Sequence, residues 1–377
     1  MLKQLYRKYI KYLDSRSEKI RVRKQWIGER IEIHKMLSSI PVKGKILSKE
    51  QKNLIDDYWK TYYGKRISTK WHLKYYAYSG KFDEKYVPEI LYTTKIEPLF
   101  NPEQIAKTLQ DKSLIEYIYA KAINENDNIV IPITRGGCVN GTYFDDKRDI
   151  CVKHEFIEKM NRLEGKYIIK PAVGGNSGRD VELLCLKNGI DSCSNNKLDD
   201  IIDAYGTNFI IQDCIVQNEK YAALHANSVN TIRLISYKKD GEIVVAPAIM
   251  RIGIGETYID NTHAGGVYIG VEKNGRLLER GIKQYCEPVF IHPDSRIIFK
   301  DYQLPYFERF FEAAKELHKC LPSIGIVNWD FAMNDKNQVV LIESNLICGS
   351  IWLIQNAWGK SVFEENTEYI LQKIRKK

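Results

Sequence analysis

The stretch that most constrains the fold runs from Ile326 to Asn345. It reads IVNWDFAM, a polar NDKN segment, Gln338, and then VVLIESN. β-Branched and aromatic residues dominate both halves, which predicts two strands, 326–333 and 339–344, joined by a turn at 334–337. Ile326, Val327, Trp329, Phe331, Val340, Leu341 and Ile342 are types that fill protein interiors. Asp330 and Glu343 sit among them, and a carboxylate buried in such company needs a partner. Pairing through the turn puts both acids near the middle of one ladder, where they can share a face. Asn345, two residues beyond Glu343, points the same way. Two carboxylates and an amide oxygen are hard ligands of the kind Mg²⁺ takes, with water and phosphate oxygens completing its octahedron. The plain alternative is a pair of solvated strand acids.

A second stretch, GKYIIKPAVGGNSGRDVEL at 165–183 and Leu184, reads as strand, glycine-rich turn, strand. Lys170 ends the first strand. Gly174, Gly175, Asn176, Ser177 and Gly178 follow, with side chains small enough for backbone N–H groups to approach an anion. Lysine adds a point charge to the same anion. Nucleotide phosphate is the ligand suggested, against an ordinary hairpin with a solvated lysine.

Two more constellations are polar groups in strand-like surroundings. HANSVNTIRLIS, 225–236, carries His225, Asn230, Thr231 and Arg233, and APAIMRIG places Arg251 on a following strand. Two neighbouring arginines can hold a carboxylate or stabilise a transferring phosphoryl group; surface strand arginines are the bland reading. His225 alone suits a structural hydrogen bond better than a base. In ETYIDNTHAGGVYIGV, Asp260, Asn261, Gly265 and Gly266 could contact substrate, with the glycines admitting close backbone approach, or simply form a tight loop.

The remaining chain sets limits. No run of 18 apolar residues occurs and MLKQLYRKYIKYLDSR has no apolar leader core, so neither a spanning helix nor a signal peptide is expected. The cysteines are scattered without C-x-x-C pairs or zinc spacing, which predicts reduced thiols and a cytoplasmic protein. Residues 1–45 hold 13 Lys/Arg and 4 Asp/Glu, 13 − 4 = +9, the whole net charge of the chain. Helical spacing of Leu2, Leu5, Tyr6, Tyr9 and Leu13 predicts one or two amphipathic helices over 2–35. Such a basic helix can lie on an anionic membrane surface or keep its charges in water. No nucleic-acid-binding signature accompanies it, so no nucleic-acid partner is expected. Ser48 and Gln51 form a capping box for a helix near 49–60. The aromatic crowding from Trp59 to Tyr78 is expected to be core. Further helices are expected at 103–122, 153–163, 306–319 and 361–375. Strands are expected at 129–131, 143–144, 208–212, 229–238, 242–251 and 265–271, with tight turns at 239–241 and 274–275.

Lysine before a glycine-rich hairpin, paired arginine strands, then Asp and Glu-x-Asn on late strands resembles the ATP-grasp fold. The blocks DKSLIEYI (111–118), NGTYFDD (140–146), YIIKPAVGGNSG (167–178), SVNTIRLIS (228–236), RIGIGETYIDNTHAGGVYIGVEKNGRL (251–277) and NWDFAMNDKNQVVLIESN (328–345) resemble the sugar-transfer-associated ATP-grasp family and the related teichuronopeptide-synthesis type. The resemblance implies an α+β fold of two subdomains clamping ATP, with a helical, aromatic-rich N-terminal region. Its expected boundaries are 1–95 (helical, basic), 96–150 (a small α/β unit) and 151–377 (the ATP-grasp domain, its glycine-loop part 151–215 and metal part 216–377).

It further implies ATP contacts from Lys112, Lys170 and the loop 174–178, an adenine linker at 212–215 including Gln212, Asp213 and Ile215, and a ribose contact from Glu219. Asp330, Glu343 and Asn345 would bind Mg²⁺. Arg233, Arg251 and Asn230 would be catalytic. His225, Asp260, Asn261, Gly265 and Gly266 would meet a small-molecule or saccharide substrate. Familiar adenine linkers often carry Glu where this chain has Gln212 or Asp213. The implied reaction is carboxylate–amine ligation in surface-polysaccharide synthesis. Phosphotransfer to a hydroxyl and a non-catalytic nucleotide-binding or membrane-surface scaffold stand as alternatives.

Overall fold

A computed structural model of the chain describes residues 2–174, 180–258, 260 and 265–376, and their side chains apart from those of 2–15 and 18. The chain forms two units, 1–99 with 285–287 and 350–377, and 100–284 with 288–349.

In the first unit the N-terminal periodicity gives a single helix, α1 (Leu2–Leu37). Helix α2 (Lys49–Tyr62) begins at the expected capping box: Ser48 Oγ accepts from Gln51 N at 3.1 Å, and Gln51 Oε1 accepts from Ser48 N at 2.9 Å. Helix α3 (Lys70–Ser79) stops at Gly80, whose φ of 72° lies in the left-handed region glycine tolerates. Trp59, Trp71, Tyr75 and Tyr86 are buried, with Tyr75 and Tyr86 at 4.9 Å between ring centroids. The aromatic crowding is therefore core packing.

The last stretch, 350–377, was expected within the ATP-grasp domain; it packs instead with the N-terminal helices. Gln355 explains part of this. Its side chain accepts from Val87 N at 2.9 Å and donates to Val87 O at 2.8 Å. Leu371, on the helix Thr367–Arg375, joins the Trp59 cluster.

The second unit holds two sheets. Strand β1 (Ile129–Val130) belongs to the larger one. Strands β2 (Thr134–Val139), β3 (Thr142–Asp145), β4 (Ile150–Cys151), β5 (Gly165–Lys170), β6 (Glu182–Lys187), β7 (Ile190–Asp191) and β8 (Asn208–Asp213) form a seven-stranded sheet ordered β4-β3-β2-β8-β5-β6-β7. The larger sheet is ordered β1-β15-β14-β9-β11-β12-β13, from β9 (Thr231–Lys239), β10 (Glu242–Val245, paired with β9), β11 (Ala248–Ile252), β12 (Val267–Val271), β13 (Leu277–Lys283), β14 (Ile326–Met333) and β15 (Val339–Asn345). β1 pairs in parallel with β15, whereas β2 to β4 join the other sheet. The small unit expected at 96–150 is thus divided, because a two-residue strand has no core of its own to stand on.

Two expected elements are broken for visible reasons. The helix expected over 103–122 is Glu103–Leu109 and Ile115–Glu125 with a tight turn between. There the Asp111 carboxylate accepts from Ser113 N at 2.9 Å and Ser113 Oγ at 2.7 Å, and Lys112 N donates to Ala172 O at 2.9 Å. The strand expected over 242–251 stops before Ala246-Pro247, since proline has no N–H for a ladder. The other hairpins form as expected. Asp240 and Gly241 take positive φ (50° and 88°) between β9 and β10. Asn334 Oδ1 accepts from Lys336 N and Gln338 N between β14 and β15.

One face of the larger sheet is apolar. Ile232, Leu234, Met250, Trp329, Phe331 and Leu341 pack with Phe310, Ala313, Ala314 and Leu317 of the helix Glu308–Lys319. That burial fixes the register, and a one-residue slip would drive these side chains out of the core.

Candidate active site

The opposite face of the larger sheet is polar by the same alternation. Asp330 stands directly opposite Glu343 on β15 and opposite Arg233 on β9, so one cross-strand row carries Arg233, Asp330 and Glu343. Asn328 pairs with Asn345, and Thr231 with Arg251, in the flanking rows. Directly opposed residues share a face, so Asp330, Glu343 and Asn345 lie together with both arginines.

The ion pairs are close. Arg233 grips Asp330 bidentately, Nε to Oδ1 at 2.8 Å and Nη2 to Oδ2 at 2.6 Å. Arg251 Nη2 lies 3.5 Å from Asp330 Oδ1, and Arg251 Nε donates to Thr231 Oγ1 at 2.8 Å. Asp330 is buried, which alone would raise its pKa, but Arg233, Arg251 and Asn345 prevail and hold it below the usual carboxylate range. Asp260 accepts from Thr231 N at 3.0 Å and from Thr231 Oγ1, with Arg251 Nε at 3.5 Å. It braces the arginine from behind.

The lysines come from elsewhere in the chain. Lys112, in the turn that breaks the expected helix, sends Nζ to Glu343 Oε1 at 3.1 Å and to Gly174 O at 3.1 Å. It links the metal-type strand to the first residue of the glycine-rich loop, where Gly174 sits at φ 77°. Lys170, at the end of β5, is also buried. Its pKa falls from the ordinary 10.5 to about 8, first by desolvation and then by the Lys112 charge, with Glu343 opposing. No described carboxylate or carbonyl is bonded to its Nζ. Gly175, Asn176, Ser177, Gly178 and Asn261 lie outside the described residues.

Several expected contacts are committed to structure. Asn230 is buried, and its Nδ2 donates to Tyr221 O and His225 O at 2.9 Å each, while its Oδ1 accepts from Ser228 Oγ and Gly253 N. An amide so engaged positions the entry to β9 and has no donor left for chemistry. His225 is held on both ring nitrogens, by Ser228 Oγ at 2.8 Å and Gly255 O at 2.9 Å. A Cβ on Gly253 would come within 2.4 Å of Ser228 Oγ, so only glycine fits this knot.

On β8, Asp213 is held bidentately by Arg135 at 2.6 and 2.7 Å, and Gln212 donates to Thr134 Oγ1 at 3.1 Å. Those side-chain groups are spoken for, and the amides of Asp213 and Cys214 already donate to Ile133 O at 2.9 Å and Lys166 O at 3.5 Å, which leaves the end of the connector, at Ile215, for any ligand. Glu219 is exposed in the first turn of the short helix Glu219–Ala222. Gly265 has a φ of 90°, and Gly266 is buried at the entry to β12.

Sequence reading overlooked Gln217, which reads Asn230 on three sides, accepting from Asn230 N and Nδ2 and donating to Asn230 O at 2.7 Å. Thr231, expected only as a polar group entering the strand, is the hinge between Arg251 and Asp260. Sequence reading also overlooked a meeting of Cys185, Asp191 and Cys193, whose ligating atoms lie within 4.8 Å of one another. Asp191 already accepts from Cys185 N, Cys193 N, Ser194 N and Ser194 Oγ, so it serves to tie the hairpin.

Oxygen-only donors on one face fit a hard divalent ion. No described donor reaches Asn345 Oδ1 or Glu343 Oε2, and Asn345 Nδ2 is turned toward Asp330 at 3.3 Å. Asp330 itself is shared with Arg233. The wider set has Lys112, Lys170, Arg233 and Arg251 against Asp260, Asp330 and Glu343, four cations to three carboxylates. A surplus of buried positive charge calls for an anion.

The model of the sugar-transfer associated ATP-grasp family matches residues 92–373. The chain belongs to that family. The expected fold class and the resemblance both hold, and the match extends beyond the 111–345 stretch that carries the motifs. No curated protein matches the chain in sequence. Among solved structures it is similar to the VanG D-Ala:D-Ser ligase from Enterococcus faecalis, with 15% identity, 70% of this chain and 60% of that one covered, and TM-score 0.39. It is also similar to an L-amino acid ligase from Bacillus licheniformis (11%, 66% and 47%, TM-score 0.37). A third is N5-carboxyaminoimidazole synthetase from Staphylococcus aureus (11%, 66% and 46%, TM-score 0.35). This ATP-grasp protein thus spans about half the length of the structures it is similar to. No helix among its described residues is long and apolar enough to cross a membrane.

Proposed function

We propose that this ATP-grasp protein is an ADP-forming ligase that joins a carboxylate to an amine through an acyl phosphate. The observation that carries the reading is buried Lys170, whose Nζ makes no salt bridge or hydrogen bond among the described residues, beside the row Arg233–Asp330–Glu343. Such an arrangement stabilises a polyanion, and in phosphoryl transfer positioning and charge stabilisation are most of the catalysis. Lys112 and Lys170 take the phosphates, and Gly174 begins the loop over them. The end of the 212–215 connector, at Ile215, takes the base. Arg251 and the Nη1 group of Arg233, which Asp330 leaves free, face the charge that builds on the transferring group. Glu343, Asn345 and Asp330 would hold Mg²⁺, which when bound supplies charge neutralisation to the phosphate oxygens.

In the first step a substrate carboxylate oxygen bonds to the γ-phosphorus as the bond to the bridging oxygen breaks, and ADP leaves with that electron pair. In the second an amine nitrogen bonds to the acyl carbon. Phosphate leaves with the C–O pair, and the nitrogen proton passes to solvent. The family's association with sugar transfer supports a saccharide on one side, a sugar acid or an amino sugar, with an amino acid on the other, in surface-polysaccharide synthesis.

The test is ADP and free phosphate release from Mg-ATP across a panel of amino acids with uronic acids and amino sugars, with hydroxylamine trapping the acyl phosphate as a hydroxamate. Equal ADP and phosphate, and a hydroxamate from one acid only, are expected. No ADP on any combination, together with Lys170→Ala binding ATP as the wild type does, would overturn the proposal. Phosphate retained on the product would replace ligation with phosphotransfer.

A further inference from the structure

Helix α1 segregates its charges by face. On its inner side Glu29 Oε1 accepts from Trp71 Nε1 at 2.5 Å, Glu32 Oε1 accepts from the Tyr285 hydroxyl at 2.7 Å, Ile33 packs on the Trp71–Tyr75–Tyr86 cluster, and Met36 is fully buried. Its outer side carries Ile20, Ile27 and Ile31, each more than half exposed. At 3.6 residues per turn these three fall within about 40° of one another, and Glu29 and Met36 fall on the opposite side. The isoleucines are flanked on one edge by Arg16, Arg23 and Arg30, seven residues apart, and on the other by Lys24 and Lys35, all exposed. Trp26, also about half exposed, stands at the border. Between 16 and 35 no described side chain on this outer face is acidic.

An apolar stripe between two basic edges is the form of a helix that lies in a bilayer interface. The isoleucines enter the acyl boundary while Arg and Lys meet anionic headgroups. We infer that the outer face of α1 docks this protein on an anionic lipid surface. A second copy of the chain would set five cations against five. A nucleic acid would use the cations and leave three isoleucines in water. The lipid surface satisfies both halves of the face, and the acids that would oppose it are already spent on Trp71 and Tyr285.

The experiment is co-sedimentation of the full chain with phosphatidylglycerol/phosphatidylcholine vesicles and with phosphatidylcholine alone. Three proteins are compared: wild type, the triple variant Ile20→Ser/Ile27→Ser/Ile31→Ser, and the triple variant Arg16→Gln/Arg23→Gln/Arg30→Gln. Binding to the anionic vesicles only is expected, falling with salt. Each basic residue removed near the surface should lower partitioning about fivefold, and the isoleucine variant should bind no better than the neutral-vesicle control. All substituted positions are exposed, so thermal melts of the three proteins should coincide, which separates loss of docking from loss of fold. Equal binding to neutral and anionic vesicles, or none, would overturn the inference. So would full binding by the isoleucine variant, a dimer in solution that this variant dissociates, or an oligonucleotide affinity that survives in it.

Discussion

Replacing Lys170 by methionine should stabilise the empty protein while removing its nucleotide binding. The side chain is buried, and its folded pKa of about 8 stands against an ordinary 10.5. A lowered lysine pKa means the folded state disfavours the charge. Well below pH 8 both folded and unfolded chains are protonated, and the folded one bears a penalty of about 3 kcal/mol at 1.36 kcal/mol per pKa unit. Between pH 8 and 10.5 the unfolded chain holds the proton that the folded chain has released, so stability rises with pH across that window. Methionine keeps the length and removes the charge. At pH 7 its urea midpoint should therefore move up, by a free energy on the order of 1 to 3 kcal/mol after some loss of packing fit.

ATP should reverse the order. Phosphate beside Lys170 restores its affinity for a proton, so wild-type binding near pH 8.5 should take up a fraction of a proton, seen as a buffer-dependent enthalpy in calorimetry. The variant should show neither the uptake nor an ATP-induced shift in melting. A less stable Lys170→Met protein at pH 7, together with proton-neutral ATP binding by the wild type, would refute the reasoning, because Lys170 would then already have a counter-charge in the empty site.

Three further outcomes follow from the same geometry. Asp330→Asn leaves buried Arg233 without its bidentate partner and should lower stability by about 3–5 kcal/mol in urea melts, with the double change Arg233→Met/Asp330→Leu recovering much of it. Because its folded pKa is depressed, Asp330 contributes stability that is present above the ordinary carboxylate range and is lost as pH falls through the folded value; Asp330→Asn should flatten the acid limb of the stability profile. Asn230→Ala should lower the melting temperature by an amount equivalent to about 2–4 kcal/mol through the lost bonds to the Tyr221 and His225 carbonyls and the unpaired Gly253 amide; an unchanged melt with lost kcat would instead mark a catalytic amide. Lys112→Met, which unties Glu343 from Gly174, should raise KM for ATP about tenfold or more with the secondary structure intact by circular dichroism.

The parts legible in the sequence are those decided over a few residues. The β14–β15 hairpin was readable because NDKN carries its own turn chemistry in Asn334, and because alternation sends Trp329 and Phe331 one way and Asp330 the other. The Ser48–Gln51 box was readable because its two bonds close within one helical turn. Where a distant partner decides, local pattern misleads. One helix is expected over 103–122, but Lys112 gives its amide to Ala172, some 60 residues on, and the helix yields there. The stretch 350–377 carries no mark of its destination, which the side chain of Gln355 settles by meeting Val87.

The same distinction governs the site. Asn230 stands in a motif that resembles catalytic ones, yet its neighbours in sequence, Tyr221, His225 and Ser228, fold back and consume its amide. Arg233 and Asp330, nearly a hundred residues apart, end in register because both flank side chains bound for one apolar core. Ile232, Leu234, Trp329 and Phe331 fix β9 against β14, and the pair facing the other way has no freedom to miss. The core therefore positions the charges, and substitutions that shift β14 by a residue should break the Arg233–Asp330 grip before they expose any single charge to water. A conservative change such as Trp329→Phe, which opens space without altering the register, should cost stability and leave the Asp330-dependent acid limb in place. If that limb moved with it, the row would be held by its own ion pairs and not by the core behind it.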